Sequence, residues 1–301
     1  MMKFRLEKYP LLCLLMLAMA FSCRSQYEMM LSSADVDAKY KYAFEMFEAK
    51  KYRKAAALFE SLSMQTSGTE KDDTVRYYWA LSNYKDRDIL TAEANFAGFL
   101  ELYPQSPFSS EATFLKLDCM YRATYRYELD QNPSRACIAA ISEYIIDNPS
   151  SDRLDVCHKM MDDLVGRLDK KAFANAYLYY KMEDYMASVV AFKNVLKDNS
   201  ETPYREDILY YIAKSSYKYA QLSVRAKQKD RYLSFLDEYY NFVGELPESS
   251  YRKDLDQCYA RAMKAVGGEA ETAGNKELRQ EERADKKLER QFKRKRKEIK
   301  I

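Results

Sequence analysis

The chain has 301 residues, of which 47% are hydrophobic, 32% charged and 14% aromatic, so it has enough apolar material for a packed core. The formal net charge is only +3, and there are just seven glycines, seven prolines and one histidine. So few glycines argue against an all-β sandwich or a nucleotide-binding α/β fold, which use glycine in turns and phosphate loops. The single histidine argues against histidine-based catalysis and multi-histidine metal sites. The composition therefore predicts an all-α protein.

The first 22 residues have the features of an export signal. Three basic residues precede an apolar run over residues 11–21, which is too short to span a bilayer and has the length of a signal's apolar core. The run leads into Ala-Phe-Ser-Cys at residues 20–23, which resembles the lipobox of bacterial lipoproteins. We therefore predict a signal peptide over residues 1–22, acylation of Cys23 and attachment to a membrane through that lipid. An ordinary signal peptide with an incidental cysteine is the alternative.

Four further cysteines, Cys119, Cys137, Cys157 and Cys258, lie within helical patterns. No CxxC motif accompanies them, and although His158 lies beside Cys157, no second histidine or acid sits at metal-ligand spacing. Cysteines in such patterns often behave as small apolar residues, so we predict buried thiols. Disulfides are the alternative, because export would make them possible.

A self-similar pattern of apolar residues runs along the body of the chain. Spacings of three and four place these residues on one face of each helix. The first helices of the predicted pairs have their stripes at residues 40–47, 78–84, 114–121, 173–180 and 208–215. The second helices have theirs at residues 52–62, 89–99, 137–144, 185–195 and 235–242. A small residue in most second helices would let the two axes approach closely. The pattern predicts five helix pairs.

Four loops between the pairs share proline with serine or threonine, at residues 103–107, 148–152, 199–203 and 246–250. In three of them a proline ends the preceding helix, at Pro104, Pro149 and Pro247. In all four, a Ser or Thr side chain is expected to cap the next helix. Pro107 and Pro203 are expected at the first helical position, where the missing N–H costs nothing.

These repeats resemble tetratricopeptide (TPR) repeats, whose final proline matches Pro104, Pro149 and Pro247. The lipobox, the five long repeats and the strings at residues 51–55, 69–80 and 170–180 together resemble the BamD family, the lipoproteins of the outer-membrane β-barrel assembly (BAM) machine. The resemblance covers residues 35–266, after a lipidated linker over residues 23–34. It implies an all-α, TPR-like superhelical solenoid whose concave face binds extended peptides or partner helices.

The resemblance also implies partners. Family members bind unfolded outer-membrane proteins through a C-terminal β-signal and dock the POTRA domain of the barrel protein BamA. For that docking it implies Arg205, which opens the last repeat, and we add its neighbour Glu206 and the recurring arginine Arg252. The alternative for Arg205 is a surface arginine that pairs locally with Glu206 or Asp207.

For the substrate groove we name Tyr77, Tyr78 and Asn83 in the second repeat, because tyrosine offers stacking and a hydroxyl to an extended strand. Ordinary packing between helices is the alternative for each of them. We expect no catalytic residues, no metal and no cofactor, since no nucleophile–base motif, metalloprotease motif or phosphate loop occurs. The protein is expected not to be an enzyme.

Residues 267–301 are expected to form a separate basic tail, with 12 Lys and Arg against 6 Asp and Glu between Lys276 and Lys300. A solvated helix is the favoured interpretation, and contact of residues 290–297 with anionic lipid or an acidic partner is the alternative. Export would exclude nucleic acid as a partner.

Together these features predict a scaffold lipoprotein of the BAM machine, anchored by lipid in the outer membrane and facing the periplasm. Two other functions remain open at this stage. One is a different periplasmic TPR adaptor, tied to peptidoglycan synthesis. The other is a glycan-binding lipoprotein of a nutrient-uptake system, although a single tryptophan leaves little for an aromatic sugar platform.

Overall fold

The computed structural model describes residues 26–267, and every regular element in that range is an α-helix. The helices are α1 (Gln26–Leu31), α2 (Val36–Glu48), α3 (Tyr52–Gln65), α4 (Asp72–Asp86), α5 (Ile89–Leu102) and α6 (Ser109–Arg122). They continue with α7 (Asn132–Asp147), α8 (Leu154–Lys181), α9 (Tyr185–Asp198), α10 (Arg205–Gln221), α11 (Arg225–Glu245) and α12 (Arg252–Val266). The predicted signal peptide, Cys23 and nearly all of the basic tail lie outside the described residues.

The helices fall into two compact units. Unit 1 extends to Leu164 and contains α1–α7 with the first part of α8, and unit 2 begins at Val165. Within each unit, helices that follow one another in sequence pack together, and in unit 2 α12 also packs against α10. The five predicted pairs are α2–α3, α4–α5, α6–α7, α8–α9 and α10–α11, so the all-α, TPR-like prediction is confirmed.

The cores of both units are built from aromatic side chains and small residues. Phe59, Phe96, Phe192, Phe235 and Phe242 are completely buried, and burying one such side chain contributes roughly 1.5–3 kcal/mol. The small residues predicted in the second helices are buried as well, including Ala55, Ala92, Cys137 and Ser188. Close approach of the helices follows from these small side chains.

The starts of the second, third and fourth pairs, and of α12, are tied to the pair before them. At these four points, an acidic residue in the first turn of the preceding pair's first helix accepts a hydrogen bond or ion pair from the residues just ahead of the next helix. These contacts, which we call the repeat junctions, are Lys71–Asp37 at 2.5 Å, Ser106–Asp73 at 3.0 Å, Arg153–Glu111, and Ser249–Glu206 at 2.6 Å. The acids also lie where the helix N-terminus favours negative charge.

Ring contacts reinforce the junctions. Phe108, just before α6, stacks on Tyr77 of α4 with ring centroids 4.5 Å apart. Tyr251, just before α12, stacks on Tyr210 of α10 at 4.2 Å. At the third junction a cation takes the place of the ring: the guanidinium of Arg153, just before α8, lies 4.2 Å from the centroid of the Phe114 ring of α6.

The serine and threonine oxygens act ahead of the helices rather than at their caps. Each accepts a hydrogen bond from the backbone N–H two residues later, in the pairs Thr69–Lys71, Ser106–Phe108, Ser151–Arg153, Thr202–Tyr204 and Ser249–Tyr251, at 3.1–3.4 Å. The expectation that these side chains cap the helices is therefore wrong, because each one bonds to the N–H of the residue just before the helix and not to an N–H within it. The placement of Pro107 and Pro203 at the first helical position is wrong, since α6 and α10 begin two residues later, at Ser109 and Arg205. Both prolines lie inside the turns, where their fixed φ suits the bend.

Candidate partner-binding site

The three residues predicted to bind a partner lie around one loop of unit 2, residues 246–250 between α11 and α12. Arg205 opens α10, and its guanidinium pairs through two nitrogens with the carboxylate of Glu245 at the end of α11. A third nitrogen donates to the carbonyl of Ser200 at 2.9 Å. The pair is partly exposed, and the Glu245 carboxylate raises the pKa of the Arg205 guanidinium through its hydrogen bond. Arg205 therefore pairs with another helix, and not with Glu206 or Asp207.

Glu206 and its neighbour hold the other side of the loop. The hydroxyl of Ser249 donates to Glu206 at 2.6 Å, and the phenol of Tyr251 donates to Asp207 at 2.5 Å. This hydrogen bond, with burial as a smaller cause, raises the pKa of Tyr251 to about 12. The loop is thus fastened to the first turn of α10.

Arg252, at the start of α12, bonds to the backbone of the loop. Its Nε donates to Asp256 at 2.9 Å, and a terminal nitrogen donates to the carbonyl of Pro247 at 3.4 Å. The Asp256 hydrogen bond raises the pKa of the Arg252 guanidinium, so it stays charged. The structure therefore brings Arg205, Glu206 and Arg252 together at one loop.

The surface of this loop is a shallow acidic depression. It is lined by Glu206, Glu245, Leu246, Pro247, Glu248, Ser249 and Ser250. The three carboxylates can pair with cations from another chain, and the carboxylates and the two serine hydroxyls can accept hydrogen bonds.

The predicted substrate residues of unit 1 have three different environments. Tyr77 is buried, with 6% of its surface exposed, and burial raises the pKa of its phenol to about 12. Tyr78 is half-buried among Phe44, Phe47 and Phe59, with centroids 4.6–5.9 Å away. Asn83 is buried, and its Nδ2 has no hydrogen-bond partner among the described residues.

An apolar groove lies on α2, next to Tyr78. It is lined by Tyr40, Lys41, Phe44, Glu45, Glu48 and Ala49. Phe44 contacts both Tyr40 and Tyr78, so the groove wall continues into the aromatic cluster. The sequence pattern marked Tyr40 and Phe44 as helix-stripe residues, but an aromatic stripe alone does not tell a groove wall from a core residue.

Other chemistry is limited in the described range. Between residues 26 and 267 no three His, Cys, Asp or Glu side chains converge as metal ligands would. Cys119, Cys137, Cys157 and Cys258 are buried, and within that range none is bonded to another. Burial raises the pKa of the Cys119 thiol to about 12, which suppresses its reactivity. No helix in the same range is long and apolar enough to cross a bilayer.

Comparisons with known proteins give the family. A family model described as YfiO, outer membrane lipoprotein, matches residues 33–234. A curated relative, the outer membrane protein assembly factor BamD of Caulobacter vibrioides, is 23% identical over 164 residues, which is 54% of this chain and 52% of the relative. The chain thus aligns with about half the length of that relative.

A solved structure, the complex of the yeast Sti1 TPR2AB domain with pHSP90, covers 75% of this chain and 98% of its own, at 14% identity and a TM-score of 0.34. The family match and the BamD relative confirm the resemblance to BamD. Because the family model spans more than half of the sequence, the chain belongs to the YfiO family of outer membrane lipoproteins.

Proposed function

We propose that the chain is a non-enzymatic scaffold of the outer-membrane β-barrel assembly machine, with residues 35–266 as its repeat domain. It docks a BamA-like POTRA and β-barrel protein and binds unfolded outer-membrane proteins. Family membership and the name of the BamD relative support the assembly role. The observation that carries the proposal is the convergence of Arg205, Glu206 and Arg252 on the loop at residues 246–250.

Docking would proceed by exchange of the Arg205 partner. The ion pair of Arg205 and Glu245 is 37% and 39% exposed, so it contributes little to folding. A carboxylate of a POTRA domain can replace Glu245 and form the same bidentate pair. The bond from Arg205 to the Ser200 carbonyl would keep the guanidinium oriented during the exchange.

The test is affinity purification of the tagged, membrane-extracted protein, with copurifying chains identified by mass. We expect a stoichiometric partner with POTRA repeats and a β-barrel, and Arg205→Glu should reduce its recovery at least tenfold. The double variant Arg205→Glu/Glu245→Arg restores a local ion pair, so it should fold normally and still lose the partner. Lys193→Glu is the matched control, because Lys193 pairs with Glu238 between helices of the same unit.

Recovery of cell-wall synthesis enzymes or a nutrient transporter instead would overturn the assembly role. Unchanged recovery of the barrel protein with Arg205→Glu would keep the role and remove Arg205 from the docking site. The two failures are therefore distinguishable.

For substrate, we propose that the β-signal binds at the α2 groove, with Tyr78 as part of its aromatic wall and with Tyr77 and Asn83 supporting it from behind. An extended strand with a terminal aromatic residue would stack on Tyr40 and Phe44. A photo-crosslinking residue at Phe44 should label a β-signal peptide, whereas the same residue at Tyr179 in unit 2 should not. Equal labelling at both positions would contradict this placement.

We also propose acylation at Cys23 and a periplasm-facing position in the outer membrane. Labelled palmitate should be incorporated into the protein and lost in Cys23→Ser. Retained label in that variant would remove Cys23 as the attachment site.

A further inference from the structure

The turn between α10 and α11 exposes two aliphatic side chains. Leu222 and Val224 are each 68% exposed, on either side of Ser223. Large aliphatic residues are usually buried, and a pair at the tip of a turn offers an apolar contact point.

Polar contacts brace this turn from inside. The Gln228 side chain donates to the carbonyl of Gln221 at 3.1 Å. The guanidinium of Arg231 donates to the hydroxyl of Ser223 and lies 3.8 Å above the ring of Tyr219. The hydroxyl of Ser223 donates in turn to the Tyr219 carbonyl. With the polar groups satisfied within the turn, Leu222 and Val224 are left on its outer side.

Cations are frequent at the end of unit 2 that carries the two aliphatic residues. α10 and α12 run in the same direction, since Tyr210 and then Lys214 of α10 meet Asp254 and then Cys258 of α12. The ends of α10 and α12 and the start of α11 therefore share one end of unit 2. The cations there are Lys218, Arg225, Lys227, Lys229, Arg231, Arg261 and Lys264. Over residues 218–231 and 257–267 the sequence has one acid, Asp230.

The other end of unit 2 has more acids than cations: residues 199–207 and 245–253 contain five acids against the cations Arg205, Arg252 and Lys253. It holds the acidic depression with Glu206, Glu245 and Glu248. The 21 residues of α11 lie between the two ends, a length of about 30 Å. The two ends of unit 2 thus differ in net charge, and the tip formed by Leu222 and Val224 lies at the basic end.

We propose that this basic end of unit 2 is a membrane-contact site, where Leu222 and Val224 enter the headgroup layer and Lys227 and Lys229 meet the phosphates of anionic phospholipids. A bilayer surface offers phosphates and acyl chains side by side, which matches cations around an apolar tip. Nucleic acid or an acidic protein would use the cations but leave the two aliphatic side chains in water. The site is separate from the docking loop, so it does not depend on the proposed assembly role.

The test places an environment-sensitive fluorophore on the full chain through Leu222→Cys, with the protein reconstituted into vesicles. Vesicles of phosphatidylethanolamine with phosphatidylglycerol should shift the emission to the blue, relative to the protein in detergent. Lys227→Glu/Lys229→Glu should abolish the shift, and both side chains are exposed, so folding should be retained. A label at Leu90→Cys is the matched control, because Leu90 is 72% exposed but follows Asp86 and Asp88.

An unshifted Leu222→Cys label on protein held in the vesicles would overturn the site. A shift produced only by a soluble polyanion, such as polyglutamate or nucleic acid, would overturn it as well. Arg205→Glu should leave the fluorescence unchanged, so failure here and failure of the docking proposal can be told apart.

Discussion

Lys39 of α2 has only 1% of its surface exposed, and no carboxylate among the described residues pairs with it. Its ammonium donates to the hydroxyl of Ser61 at 2.9 Å and to the side-chain carbonyl of Gln65 at 3.3 Å. Desolvation lowers the pKa of this ammonium below its usual range. In the window between the lowered pKa and the ordinary value of about 10.4, the unfolded chain binds the proton more strongly. The folded state therefore gains stability as the pH rises through that window.

Replacing this residue tests the sign of the effect. Lys39→Met removes the titrating group, so the variant should lose the alkaline gain in the free energy of unfolding that the natural chain shows. Urea unfolding from neutral pH to about pH 10 measures both profiles. Lys41→Met, at an exposed neighbour, should keep the natural profile. Parallel profiles for Lys39→Met and the natural chain would refute the assignment.

Asp72 at the start of α4 is also buried, but it is fully paired. It accepts hydrogen bonds from the Tyr103 phenol at 2.5 Å, the Arg76 Nε at 2.9 Å and the Gly68 N–H at 3.2 Å. The Asp72 hydrogen bond is the main cause that raises the pKa of Tyr103.

Tyr103→Phe should lower the free energy of unfolding by about 1.5–3 kcal/mol, because a hydrogen bond to a charged acceptor is lost. Denaturant unfolding measures the loss. Tyr52→Phe is the control, since its ring contact with Phe47 survives the change. Equal effects of the two substitutions would mean that the bond to Asp72 adds nothing.

At the level of helices, the turn before α6 contains a serine with two roles. Ser106 both accepts from the Phe108 N–H and donates to Asp73, so one hydroxyl serves the turn and the junction. Ser106→Ala removes both hydrogen bonds and should therefore lower the free energy of unfolding by about 1 kcal/mol. Ser110→Ala, at an exposed position in α6, should change it by less than about 0.5 kcal/mol. A cost for Ser106→Ala within that smaller range would contradict the double role.

Helix periodicity predicted the pairs because burial follows spacing, as at Ala92, Phe96 and Phe99 of α5. It could not separate Tyr77 from Tyr78. The two are neighbours in sequence, and with aromatic residues on so many faces the stripe does not identify the buried one. The helix periodicity could not predict the Arg205–Glu245 ion pair either. The two residues lie 40 positions apart in sequence and meet only because α11 is long enough.

At the level of the whole molecule, α8 contributes to both units. Leu164 packs into the core of unit 1, and Ala176 packs into the core of unit 2. Gly166 lies next to the boundary, and a Cβ there would meet nothing within 4 Å.

Gly166→Ala should strengthen α8 by roughly 0.5–1 kcal/mol and bring the unfolding of the two units closer together. Fluorescence of Trp79, the one tryptophan, reports on unit 1, while circular dichroism reports on all helices. We expect the two probes to give closer midpoints in Gly166→Ala than in the natural chain. Gly98→Ala and Gly244→Ala have the same open space within α5 and α11 and serve as controls. Equal convergence in the controls would argue against coupling through α8.

The repeat junctions leave the length of a helix pair open to variation. The two contacting residues are 34 and 33 positions apart at the first two junctions, but 42 at the third and 43 at the last. In the third pair the extra chain lies in the loop over residues 123–131, and in the fifth it lies in the longer helices α10 and α11. The third and fifth pairs thus accommodate extra residues internally, while an acid in the first turn of each pair's first helix still bonds to the start of the helix that follows the pair. In evolution, each pair can widen the surface it offers to a partner without disturbing how successive pairs join.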